Sequence, residues 1–135
     1  MSKQGGLGWT TMSVDKADQT TSVDIRNDCT NLNFSTPRAV WDTTGIDKSN
    51  HERILLLGDF SIELDGIFNP STSHTVFSTV TSGSLSRASS IVVGGATMGP
   101  VNVLYTDYPL TRDNTGALTW KVPGSLADGT TPTWS

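Results

Sequence analysis

Residues 60 to 65, FSIELD, alternate apolar and polar side chains without a break, and no other stretch constrains the fold of this chain more tightly. Side chains on a strand take opposite faces in turn, so Phe60, Ile62 and Leu64 share one face while Ser61, Glu63 and Asp65 share the other. The apolar face needs a core. The polar face carries two carboxylates about 7 Å apart at the backbone, from the rise of a strand, and its surroundings must tolerate negative charge.

The same period recurs along the chain. TTSVDIRN sets Val23 and Ile25 against Ser22, Asp24 and Arg26, and LNFS predicts a second short strand. Pro37 holds Thr36 extended, and RAVW after it reads as a short strand or a turn of helix. TTGIDKSNHE is a polar connection, and RILLLGDFSIELDGIF, which follows, is the most apolar run of the chain. SRASSIVVGG predicts a strand ended by glycines. VNVLYTDYPL places Val101, Val103 and Tyr105 on one side, and GALTWKVPG does the same with Leu118, Trp120 and Val122. TRDNTG between them has the residues of a tight turn, which predicts a hairpin. The best helix is in NPSTSHTVFSTV, where Asn69 suits the cap, Pro70 the first helical position, and Val76, Phe77 and Val80 share a face opposite Ser78.

At 135 residues the chain fits one domain with a real core, and only 16% of it is charged, with Thr, Ser and Gly filling the remainder. The expected fold is therefore mainly β, with one short flanking helix. Ile62, Leu64, Phe68, Phe77, Val103, Tyr105, Leu118 and Trp120 are the candidate core. Residues 1–9, Gly-rich and with little to bury, read as an arm preceding a β-rich core over 10–135.

Chemistry is sparsely represented. The net charge is -4 and the nine basic residues form no run, which argues against a surface built to grip nucleic acid. Cys29 is alone and reads as a free structural thiol. MSKQGGLGWTTM has no apolar h-region, and no window approaches the roughly 20 apolar residues of a membrane span, so a soluble chain without an export signal or membrane partner is expected. There is no phosphate-binding loop ending in Lys-Ser/Thr, no zinc-spaced cysteine pair, no Gly-x-Ser-x-Gly elbow and no His-Glu-x-x-His helix. His51 and His74 read as surface or helix residues. Asp47, Asn50 and Glu52 around His51 match no calcium loop, and DNTG is better explained as a hairpin turn. Glu63 and Asp65 have a spacing that paired acids of glycoside hydrolysis can show, but no aromatic accompanies them on their face, and aromatics are 7% of the chain. No catalytic residue, cofactor or metal is expected.

The order of these features resembles one family. GDFSIELDGIFNPS, the His-containing SHTVFSTV, SRASSIVVGG, then YTDY, GALTW and the closing DGTTPTW, spanning residues 54 to 135, are similar to the small major tail proteins, or tail tube proteins, of long-tailed bacteriophages, particularly those of actinobacterial hosts. The first half, with TTSVDIRND and TTGI, matches more loosely.

The resemblance implies a single tail-tube domain: a β-sandwich or β-barrel of antiparallel strands that contributes strands to a ring-wide inner barrel. It implies hexameric rings of the chain itself, stacked into a hollow tube in the virion after assembly in the host cytoplasm. The implied partners are a tape-measure protein, a tail terminator and distal tail proteins, with DNA passing through the lumen without specific binding. Ser61, Glu63 and Asp65 would then face the lumen, where phosphate-binding groups would hold the genome and carboxylates and hydroxyls would not. Two other classes remain open. A head-decoration or tail-terminator protein can share such a sandwich, and a carbohydrate-binding module would show a planar row of exposed aromatics. Trp9, Trp41, Trp120 and Trp134 are instead spread along the chain, with Trp120 on an apolar strand face.

Overall fold

The computed structural model describes residues 9–135. In chain order the elements are β1 (Trp9–Asp15), β2 (Ser22–Asp24), a 3-10 turn (Arg26–Asp28), β3 (Cys29–Ser35), β4 (Arg38–Asp42), β5 (Arg53–Gly58), β6 (Ser61–Ile67), α1 (Ser73–Phe77), β7 (Arg87–Val93), β8 (Ala96–Tyr105), β9 (Leu110–Arg112) and β10 (Leu118–Leu126). The protein is mainly β and every named strand pair is antiparallel. One sheet runs in the order β2-β1-β7-β8-β10-β6-β3, with β9 beside β10, and β4 pairs with β5 in a separate ribbon. Of the arm expected over residues 1–9, residues 1–8 lie outside the described residues, while Trp9 opens β1 and packs against the core.

The turns follow from their residues. Gly94 and Gly95, both at positive φ, close the β7–β8 hairpin between Val93 and Ala96, a geometry that glycine adopts without steric cost. Asp113 accepts from Thr115 N and Ala117 N, at 2.9 and 3.1 Å, and so holds the DNTG turn, which joins β9 rather than β8 to β10. RAVW forms a strand, β4, and not a turn of helix.

The core lies on one face of the curled sheet. Met12 and Val14 of β1, Ile62 and Leu64 of β6, Ile91 of β7, Val101, Val103 and Tyr105 of β8, and Trp120 and Val122 of β10 join Phe77, Val76 and Val80 from the helical segment in one buried cluster. Trp120 anchors it: its Nε1 donates to Ile67 O at 3.0 Å and its ring lies 5.2 Å from that of Phe77. Gly66 passes beneath that indole so closely that a Cβ would fall 2.2 Å from Trp120 Cζ2. The C-terminal segment ties the sheet to itself, with Ser135 and Thr97 exchanging backbone bonds, Trp134 bridged to Met98, and the Trp134 ring 6.0 Å from Phe34 on β3.

One core assignment needs correction: Leu118 is half-buried and outside the cluster, because it opens β10 opposite the exposed β9, whereas Phe68, half-buried beside the His74 ring at 5.0 Å, packs against the cluster. The helix also starts later than its cap signal suggested. Asn69 Oδ1 accepts from Ser71 N and Ser71 Oγ, at 3.0 and 2.8 Å, so Asn69 is spent on a local turn, a competition typical of its short side chain. The cap comes from elsewhere in the chain. Asp28 Oδ2 accepts from Ser73 N at 3.2 Å and from the Thr72 hydroxyl, while Asp28 Oδ1 accepts from Asn69 Nδ2 at 3.0 Å.

Candidate functional site

Two surfaces meet along the stretch from residue 29 to residue 67. The first is the outer face of β3, β6 and β10. Register aligns its side chains in rows: Ser35, Ser61 and Ser125; Asn33, Glu63 and Pro123; Asn31, Asp65 and Lys121. The structure thus brings Ser61, Glu63 and Asp65 together on the face opposite Ile62 and Leu64. Ser35 and Ser61 hydroxyls lie 3.1 Å apart, and Asn31 Nδ2 donates to Asp65 Oδ2 at 3.4 Å.

The face is less acidic than the isolated strand suggested, because β10 sets Lys121 in an ion pair with Glu63. The hydrogen bond and charge of Glu63 push the Lys121 ammonium above its ordinary range. Glu63, Asp65 and Lys121 together leave one net negative charge on a surface whose other side chains are Ser hydroxyls, Asn amides and Pro123. A shallow depression of about 300 Å³ lies over Asn33, Ser61, Glu63 and Ser125, and Phe34 is the one aromatic residue in its lining, short of the row of aromatics that a sugar-binding cleft requires. Among the described residues no group of three or more His, Cys, Asp or Glu could hold a metal, and no helix is long and apolar enough to cross a membrane. Cys29 is a free thiol, which burial and then the neighbouring Asp28, Asp24 and Asp65 carboxylates push up to about 12.

The second surface is the β4–β5 ribbon. Beyond Ser35 and Ser61 the chain leaves the sheet, with Asp59 N donating to Pro37 O at 2.8 Å and Arg38 opposite Gly58. Every residue of both strands is exposed. Pairing of Val40 with Leu55 and of Trp41 with Ile54 puts Val40 and Leu55 on one side and Trp41 and Ile54 on the other, and a bulge at Leu56 and Leu57 interrupts the alternation before Gly58 meets Arg38. Both faces are therefore apolar. Leu57 is 90% exposed and Trp41 59%. The tip, which exposes Ile46, is tied by Thr43 N donating to Glu52 O at 2.8 Å, with His51 Nδ1 lying 3.1 Å from Asp42 Oδ2 and Lys48 lying 3.4 Å from Glu52. His51 belongs to this tip, and His74 lies in α1 against Tyr108 at 3.3 Å.

Alternation revealed the polar face, but the ribbon went unread. Its signal was the uninterrupted Ile54-Leu55-Leu56-Leu57, since unbroken apolar runs belong to strands covered on both faces. A two-stranded ribbon alone is marginal in water, and an apolar patch of this kind marks a contact surface.

No family model matches the sequence, and no curated protein matches it. Solved structures do match in fold. A chain from the tail of an empty gene transfer agent particle, determined with C6 symmetry, superposes with a TM-score of 0.73 at 14% identity, covering 98% of both chains. A chain from the virion of a native gene transfer agent particle gives 0.74 at 14% identity, over 98% of this chain and 99% of that one. A chain from the six-fold symmetrised baseplate of the anti-feeding prophage gives 0.66 at 11% identity, over 100% and 97%. At this level of identity the likeness is one of architecture: the chain has the antiparallel β fold of subunits in phage-tail-like particles.

Proposed function

We propose that this chain is a structural, non-enzymatic virion protein whose copies assemble into stacked hexameric rings, forming a tail tube through which DNA leaves the particle. The observation that carries this reading is the β4–β5 ribbon, apolar on both faces with no residue buried, on a fold that also occurs in a C6-symmetric tail. The described residues leave it uncovered, and a second copy is its natural cover. The main sheet ends on β2 and β3, and a strand at the end of a sheet presents unpaired N–H and C=O groups that pairing with another copy satisfies. In this arrangement residues 10–135 act as one tail-tube domain that supplies strands to a ring-wide barrel, and residues 1–9 take part in stacking.

Ser61, Glu63 and Asp65, with Lys121, then line the lumen. Lys121 is paired with Glu63 and the three charges sum to one net negative charge, so DNA phosphates meet net repulsion there rather than a cation that would retard ejection. A tape-measure protein would fill that lumen during assembly, with terminator and distal tail proteins closing the ends. A carbohydrate-binding role lacks its aromatic row: Trp120 is buried and Trp9 half-buried, leaving Trp41 on the ribbon and Trp134 on the C-terminal segment.

Negative-stain electron microscopy of the purified protein over a range of concentrations tests the reading. Tubes are the expected product. Monomers at every concentration would overturn it, and single rings that never stack would move the chain from the shaft of a tail to its end.

A further inference from the structure

Arg87 opens β7 with its side chain turned inward, only 3% exposed. Its Nη1 donates to Val76 O and its Nη2 to Thr79 Oγ1 at 2.7 Å, which closes the C-terminal end of α1. Both acceptors are neutral. Among the described residues no carboxylate lies within ion-pair distance of Arg87, and residues 1–8 contain no Asp or Glu. Tyr105, which faces it electrostatically, stays protonated because burial pushes its phenol up. A buried cation without a counter-ion is strongly unfavourable, and a guanidinium has more N–H groups than these two bonds use.

Space for a counter-ion lies directly beside it. An open-sided pocket of about 240 Å³ is lined by Ala17, Ser82, Gly83, Ser84, Leu85 and Arg87. Gly83 leaves the approach to Nη2 clear, since a Cβ there would stand 3.8 Å from that nitrogen. Gln19 Nε2 donates to Ser86 O at 2.7 Å and braces the loop carrying Ala17 against the loop carrying the serines. The pocket therefore brings Arg87 together with Ser82, Ser84 and the exposed Leu85.

We propose that this pocket is an oxyanion site in which Arg87 receives a carboxylate or phosphate group. The group comes either from an acidic side chain of a second copy of this net-acidic chain or from a free anion, and the site stands whether or not the copies form tubes.

The test titrates inorganic phosphate, and separately acetate, into the wild-type protein at constant ionic strength, reading the Nε–Hε resonance of Arg87 by NMR together with the melting temperature. A saturable shift of that resonance and a saturable rise in melting temperature are expected. Ser84→Glu, an exposed position on the pocket wall, places a carboxylate beside Arg87 and should raise the anion-free melting temperature while abolishing both responses. Absence of a saturable shift with either anion, or a Ser84→Glu variant that responds like the wild type, would overturn the site. Sedimentation velocity distinguishes the sources. Phosphate that dissociates oligomers at fixed ionic strength identifies the occupant as a carboxylate of a second copy, and oligomers that phosphate leaves intact identify a free anion.

Discussion

β5 and β6 follow each other with two residues between them, yet they have opposite fates. β6 alternates and buries Ile62 and Leu64 under the sheet, whereas β5 carries four consecutive apolar residues, Ile54 to Leu57, and buries none of them. Alternation asks for cover on one face, which the rest of the chain supplies. An unbroken run asks for cover on both, and here the described residues supply neither. The apolar content of a strand thus measures how much burial it needs, and its pattern tells whether that burial is intramolecular.

The comparison breaks most visibly in the core. Phe77→Ala removes a ring that packs on Trp120, Tyr105 and Tyr108, and should cost about 3 to 5 kcal/mol by chemical denaturation, whereas Ser78→Ala on the exposed side of the same helix should stay within about 0.5 kcal/mol. Gly66→Ala should cost about 1 to 3 kcal/mol, because the new methyl meets Trp120 and the Asp28 carbonyl, 2.6 Å away, and the sheet must shift.

Asp28 sharpens the same contrast through pH. Burial pushes its carboxyl up, but hydrogen bonds from Thr72, Asn69 and Ser73 outweigh that effect and hold it below the ordinary carboxylate range. A group lowered on folding stabilises fully above its unfolded value of about 3.9, and that stability is lost as pH falls through the folded value. Wild-type stability should therefore drop steeply below about pH 4, and Asp28→Asn should be weaker at pH 7 by about 1 to 3 kcal/mol with a flatter acid limb.

On the ribbon the ranking inverts. Leu55→Ser with Leu57→Ser should leave the unfolding free energy of the dilute protein within about 0.5 kcal/mol of wild type, since both side chains are already in water, while removing higher oligomers from sedimentation profiles. Smallest of all is Lys121→Gln. It opens an exposed ion pair and should leave the melting curve unchanged, its effect confined to a more negative β3–β6–β10 face.

Much of this fold is legible along the chain because strand alternation and turn chemistry are local. The polar face of FSIELD, the Gly94-Gly95 hairpin and the Asp113 turn each depend on residues within a few positions of one another. What stayed hidden depends on register between distant segments. Lys121 meets Glu63 only because β10 pairs with β6, and Asp28 caps α1 from the 3-10 turn that precedes β3. Arg87, the first residue of a strand, gives no local sign of pointing inward to the end of the helix. The ribbon was hidden for another reason: its apolar residues satisfy the usual criterion for a core, and only the structure places them outside it.

Amide hydrogen exchange over residues 38–58, compared between dilute monomer and concentrated protein, bears most directly on the claim that other copies cover the ribbon. These amides should exchange rapidly in the monomer and become strongly protected as oligomers form, while protection of β7 and β8 hardly changes. Oligomers whose residues 38–58 exchange as fast as in the monomer would contradict it.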